Sequence, residues 1–254
     1  MKRILIMGAT SGMGRRVAED FARMGWTVGA AGRNTAALKE LATAFPDNIV
    51  TESIDVTSKD AVKKMFVLVG KMGGMDVLLF NSGVGYENEA LDLGKEIHTV
   101  EVDVVGFTRI VSAAYRYFRD LERATGETGG RIAAVTSVAS TRGIAQMASY
   151  SASKRFQRTY LEALEQLSRR QEAGVKFTEI RPGWVDTPLL NPKRVYPLTM
   201  SVDYVAPMIE AAILKGKRVA TIDWRWKAIC AVWQLIPRSW WVNMDVELSK
   251  EKTV

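Results

Sequence analysis

The 254-residue chain contains one cysteine, Cys230, and one histidine, His98. A lone thiol excludes an intrachain disulfide, and so few soft ligands exclude a Cys/His zinc cluster, so no metal site is expected. A Ser-His-Asp hydrolase would depend on His98 alone. Nowhere do 18 apolar residues follow one another, which leaves no candidate for a bilayer-spanning helix. The apolar run behind the Lys2-Arg3 pair extends only from Ile4 to Met7, too short for a signal-peptide core, and the cytoplasm is the expected compartment. The 35 Lys and Arg exceed the 28 Asp and Glu by a net +7, but they are interspersed with acids. There is no basic tail and no aromatic RNA-binding signature, so nucleic acid is not an expected partner.

What is present is an ordinary globular composition, 47% hydrophobic and 25% charged, which predicts a packed core. No Pro/Gly/Ser linker and no solenoid period divides the chain. Short apolar runs alternate with helical patterns. Strands are expected over Arg3–Met7, Thr27–Ala31, Ile49–Ile54, Met75–Phe80, Arg131–Thr136, Val175–Ile180 and Arg218–Ile222. Helices are expected over Thr35–Phe45, Ser58–Met72, Leu93–Leu121, Tyr150–Glu172 and Val202–Lys215. Strands apolar throughout, joined by amphipathic helices, belong in a parallel sheet covered on both faces. The expectation is an α/β fold: residues 1–222 as a single doubly wound Rossmann-type domain with a mostly parallel seven-stranded sheet, and 223–254 as a Trp-rich helical C-terminal extension.

Gly8-Ala9-Thr10-Ser11-Gly12-Met13-Gly14 ends the first strand and opens a helix. Glycines there allow a tight turn and a close backbone approach to a pyrophosphate, whose charge the free amides of a helix N-terminus stabilise. The G-x-x-x-G-x-G spacing resembles the short-chain dehydrogenase/reductase family. Four further segments follow in that family's order: Asn81-Ser82-Gly83 after the fourth strand, Ser137 after the fifth, Tyr150-Ser151-Ala152-Ser153-Lys154 as Y-x-x-x-K, and Pro182-Gly183-Trp184-Val185-Asp186-Thr187 as P-G-x-x-x-T after the sixth. The resemblance implies a nicotinamide dinucleotide held by the glycine turn and Pro182-Gly183. In it Asp55 and Val56 border the adenine, Asn81 to Gly83 pass the ribose, and Val185 and Thr187 contact the carboxamide. It also implies a homodimer or homotetramer.

The end of the second strand carries no acid to hold a ribose 2′-hydroxyl. Arg33-Asn34 stand there instead, placing a guanidinium where it could pair with a 2′-phosphate, so NADP(H) is expected over NAD(H). Arg15 and Arg16 are expected to add positive potential.

Reducing a ketone leaves an alkoxide that needs a proton. Tyr150 is the candidate acid, and Lys154, four residues on along a helix, lies on the same face and is expected to bring the phenol pKa down. Ser137 is expected to polarise the carbonyl. One departure stands out: where the family commonly carries asparagine before a glycine in the fourth helix, to hold a water beside the lysine, this chain has Asp103-Val104-Val105-Gly106. Asp103 is expected to accept from that water and to hold Lys154 protonated more firmly, with activity retained and an altered pH profile. Five of the seven tryptophans lie between Trp224 and Trp241, and a helix stopped by Pro237 is expected over residues 228–236. This extension reads as a substrate cap or subunit contact, as a membrane-surface segment, or as core packing. The expected substrate is a hydrophobic ketone or secondary alcohol, steroid- or lipid-like. The rival reading is a dinucleotide-binding regulatory or scaffold protein that has lost turnover.

Overall fold

A computed structural model describes residues 2–125, 129–246 and 249–251. In chain order the elements are β1 (Arg3–Met7), α1 (Gly12–Arg23), β2 (Thr27–Gly32), α2 (Thr35–Ala44), β3 (Ile49–Ser53), α3 (Ala61–Lys71), β4 (Val77–Phe80) and α4 (Leu93–Val100). A π-helical turn over Glu101–Gly106 leads into α5 (Phe107–Thr125), β5 (Arg131–Val135), α6 (Ala148–Arg170), β6 (Lys176–Arg181), β7 (Arg194–Val195), α7 (Val202–Lys215) and β8 (Val219–Thr221). The chain ends in α8 (Trp224–Leu235), α9 (Arg238–Trp241) and β9 (Lys250–Glu251).

Seven strands form one parallel sheet in the order β3-β2-β1-β4-β5-β6-β8. Ile4 of β1 sits level with Val28 of β2 on one side and Val77 of β4 on the other. Period-2 alternation sends Ile4 and Ile6 into the core under α1, α2, α7 and α8, while Leu5 and Met7 enter the core under α3, α5 and α6. Both faces are therefore covered, as uninterrupted apolar strands require. From β1 the chain crosses to β2 on one side, and from β4 to β5 on the other. The crevice between the C-terminal ends of β1 and β4 is thus a topological switch point, where doubly wound sheets bind ligands.

The expected seven-stranded doubly wound fold is what the chain adopts. Three local features differ from expectation. The region expected to be one helix from Leu93 is broken by the π turn, whose wider ring turns Asp103 inward. The helix expected from Ala228 begins at Trp224, because Asp223 caps it by accepting from the Arg225 amide at 2.8 Å. A two-stranded antiparallel ladder, β7 with β9, ties the loop after β6 to the C-terminal residues.

One buried carboxyl makes the sheet's outer layer pH-sensitive. Burial, together with the neighbouring Asp20 carboxylate, pushes Glu210 of α7 up to about 7. A carboxyl whose folded pKa lies above its unfolded value contributes stability that is full in acid and lost as pH rises through the folded pKa. The melting temperature is expected to fall between about pH 4.5 and about pH 7, and Glu210→Gln to remove most of that fall. Thermal melts of both chains across this range check it. An equal slope in the variant would assign the effect elsewhere.

Candidate active site

At the switch point, the Asn81 amide nitrogen donates to the Gly8 carbonyl at 3.0 Å, joining the loops after β4 and β1. Close approach dictates the glycine at the start of α1: a Cβ on Gly14 would lie 2.0 Å from the Gly8 oxygen and 2.5 Å from the Asn81 amide nitrogen. The Ser11 side chain, at the N-cap of α1, makes no capping hydrogen bond. The buried Asn81 Oδ1 has no partner among the described residues.

These groups open onto a groove of about 330 Å³ that runs past Thr10, Ser11, Gly12 and Met13. Its far end is bounded by Arg33, Asp55 and Val56, and its near end by Ser82, Gly83 and Thr187. Burial works to raise the Asp55 carboxyl, but hydrogen bonds from the Thr57 amide (2.9 Å) and hydroxyl (2.8 Å), with Arg33 and His98 nearby, hold it below the usual range. Arg33 is exposed at the lip and forms no ion pair among the described residues. Arg15 and Arg16 are different. Arg15 pairs with Glu19 and Glu40 at 3.2 and 3.0 Å, and Arg16 pairs with Asp20 at 2.7 Å and with Asp203. Their charges are spent locally and do not add to the groove as expected. Asn34 also departs from expectation: it lies outside the groove lining, and its side chain caps α2 by accepting from the Ala37 amide at 3.1 Å. Helix-terminal amides, an orphaned buried amide oxygen, a Cβ-free approach and one unpaired guanidinium fit a phosphorylated dinucleotide.

The groove continues into a cavity of about 550 Å³, with Met13, Asn81 and Thr187 lining both. Ser137, Tyr150 and Lys154 meet in that cavity. Ser137 lies two residues beyond β5 and accepts from the Ala139 amide at 3.1 Å, which fixes its side chain at the mouth of a 3₁₀ turn. Tyr150 and Lys154 come from the first turns of α6, with the Lys154 Nζ 5.5 Å from the centre of the Tyr150 ring. Gly85 lets the loop after β4 lie on that ring, since a Cβ there would stand 2.6 Å from the Tyr150 Cδ2. Pro182, Gly183 and Val185 line the same cavity from the loop after β6.

Asp103 is fully buried, and its Oδ2 lies 3.1 Å from the Lys154 Nζ. The contact expected to run through a water is a direct ion pair, because the π turn brings the carboxylate that close. Its Oδ1 accepts from the Val84 amide at 3.0 Å, and Gln157 bonds both partners, donating to the Asp103 carbonyl at 2.8 Å and accepting from Lys154 at 3.3 Å. Burial raises the Asp103 carboxyl against the pull of Lys154 and these donors.

Burial reverses one expectation. Lys154 was expected to bring the Tyr150 phenol down, yet the phenol lies above its ordinary value. Burial is the largest cause. Lys154 and the Ser137 hydroxyl pull the other way, and the Asp103 carboxylate offsets Lys154.

Other residues of the cavity carry no motif. Trp184, Tyr196, Trp226 and Trp233 make its walls aromatic, and Ile144 and Met147, packed with Trp184, add to the lining. Glu87 holds the loop after β6 over the cavity: it accepts from the Tyr196 hydroxyl at 2.8 Å and pairs with Arg194. Among the described residues no group of three His, Cys, Asp or Glu could hold a metal ion, and no helix is long and apolar enough to cross a membrane.

Comparison with known proteins places this geometry. The family model for short chain dehydrogenases matches residues 2–195. An uncharacterized oxidoreductase of Myxococcus xanthus is 32% identical over 228 residues, covering 87% of each chain. Among solved structures, a short chain dehydrogenase from Burkholderia cenocepacia in complex with NADP superposes with a TM-score of 0.79 at 20% identity, covering 97% of this chain and 100% of that one. A 3-ketoacyl-(acyl-carrier-protein) reductase from Brucella melitensis complexed with NADH gives 0.76 at 23% identity, covering 87% and 96%. At these identities the superpositions speak for the fold.

Proposed function

We propose that this chain, which belongs to the short-chain dehydrogenase family, is an NADP(H)-dependent oxidoreductase acting between an apolar ketone and its secondary alcohol. The observation that carries the reading is the meeting of Ser137, Tyr150 and Lys154 where the phosphate-accepting groove opens into an aromatic cavity. Bound in the groove, the nicotinamide would supply or accept the hydride. The chain's own residues do the rest. The amides at the start of α1 hold the pyrophosphate, Asn81 anchors the loop beside it, and Thr187 closes over the junction. Asp55 and Val56 border the adenine, and Val185 lies beside the carboxamide. The Ser137 hydroxyl donates a hydrogen bond to the substrate oxygen and stabilises its growing charge. The Tyr150 hydroxyl gives that oxygen its proton, and Lys154 stabilises the phenolate that remains. In the oxidative direction the same phenol takes the proton back.

The cavity's Trp and Tyr walls exclude water and suit a hydrophobic, steroid- or lipid-like substrate. Trp226 and Trp233 of α8 cap the cavity, forming one wall. The partly exposed apolar residues Ile97, Val105 and Phe156 along α4, the π turn and α6 suit contact with a second copy of the chain.

Cofactor choice rests on Arg33. Arg33→Ala is expected to raise the KM for NADPH by about 10- to 100-fold, the loss of one or two charge-assisted hydrogen bonds, and to leave NADH little changed. Steady-state kinetics with both nucleotides on a panel of apolar ketones checks the preference and the function together. Equal losses with both nucleotides would remove the phosphate role. Tight NADPH binding without turnover of any ketone would favour a regulatory dinucleotide-binding protein.

A further inference from the structure

The helix that walls the cavity has two apolar faces, and only one is covered. Trp226 and Trp233 face the cavity, while Trp224, Ala228, Ala231, Val232 and Leu235 form a stripe on the opposite side. Trp224 is 75% exposed and Leu235 82%, and beyond Pro237 Trp240 is 69% exposed and Val242 65%. A helix with apolar residues on two opposite faces normally has both covered, by protein or by lipid. Here only the cavity side is enclosed. At 12 residues α8 is too short to span a bilayer, for which about 20 are needed, but long enough to lie along one.

The charges around the stripe select the kind of surface. Residues 224–244 contain three basic residues and no acidic one. Arg225 is neutralised by Asp223 at 2.9 Å, whereas Lys227 and Arg238 form no ion pair among the described residues. Two uncompensated cations beside exposed tryptophans complement the anionic headgroups of a membrane surface, the depth at which indole rings settle. The stripe is also held firmly. Arg142 donates to the carbonyls of Trp233 at 2.8 Å and Gln234 at 3.2 Å and to that of Ile236, closing the C-terminal end of α8. Trp241 donates to the Gly143 carbonyl at 2.8 Å, fixing α9 on the same segment.

We infer that the outer face of α8 and the adjoining α9 dock flat on an anionic lipid surface, so that the substrate cavity lies one helix away from the bilayer. The inference rests on the reading of the cavity as a site for an apolar ketone, because such a substrate concentrates in the membrane rather than in water. The lipid is therefore both the docking partner and the reservoir.

Flotation of the full chain with phosphatidylcholine vesicles, with and without phosphatidylserine, tests it. The chain is expected to float with the phosphatidylserine vesicles and to lose binding as salt rises. The double variant Leu235→Ser, Trp240→Ser is expected to weaken that binding at least about tenfold. These side chains lie outside the cavity lining, so its turnover of a water-soluble ketone should match the parent's. Failure of the parent to float at low salt, or equal flotation of the variant, would overturn the inference. So would a size-exclusion mass that halves in the variant, since a second copy would then cover the face. A chain that floats but oxidises no NADPH overturns the catalytic reading and leaves the docking face standing. Turnover without flotation does the reverse.

Discussion

Tyr150→Phe is expected to lower kcat by about 10²–10⁴-fold, the usual contribution of a positioned general acid, while NADPH still binds. The substitution removes one hydroxyl and keeps the ring, which is 9% exposed and packed against Gly85. The cavity therefore stays filled and the fold is not in question. Because burial holds the phenol above its ordinary value, the parent should reduce ketones at a steady rate through neutral pH and lose rate only as the phenol ionises at alkaline pH. Steady-state rates of both chains, with NADPH binding measured in parallel, check this. A variant with most of the parent's rate would mean that the proton comes from another group.

The second large effect belongs to Asp103. The carboxylate and the Lys154 ammonium are buried together 3.1 Å apart, and the anion offsets the cation's pull on the Tyr150 phenol. Asp103→Asn keeps an acceptor for the Val84 amide and removes the negative charge. The phenol should then ionise more readily, moving the alkaline limb of the reduction profile to lower pH. Asp103→Ala should behave differently: it removes the hydrogen-bond acceptor of the Val84 amide together with the charge, leaves the buried ammonium with no side-chain oxygen in its place, and should destabilise the fold by about 3–5 kcal/mol. Denaturant titration measures the second effect and a pH-rate profile the first. A purely structural aspartate would leave the limb in place in the asparagine variant. The groups facing the phenol are Lys154, Asp103 and Ser137, so the shift has one source.

The parts of the site that were legible in the sequence are the local ones. The glycine turn between β1 and α1 lies within seven residues, and Tyr150 and Lys154 share a helix face by spacing alone. The seven strands were legible because each contains a short apolar run between turn signals, even where polar residues enter it as in β3 and β6. What was not legible depends on distance or on burial. The π turn adds one residue to a helical ring, a change that 3.6-residue periodicity does not register, yet it turns Asp103 onto Lys154. Glu87 meets Arg194 across 107 residues with no motif at either end. Asn34 stood beside a promising arginine, but its side chain was needed to cap α2. A count of charges near Tyr150 found the lysine that lowers its pKa. It could not weigh the burial that raises it further.

The tryptophan-rich end shows the same division. The sequence shows five indoles and a helix stopped by proline. Only the packing tells Trp226 and Trp233, which face the cavity, from Trp224, which faces outward.

The most direct measurement of the whole account is titration of the chain with NADPH, followed by energy transfer from its tryptophans to the reduced nicotinamide. The account predicts saturable binding of one nucleotide per chain, abolished by Gly14→Ala, whose Cβ would collide with the Gly8 carbonyl. A parent chain that takes up neither NADPH nor NADH would contradict it.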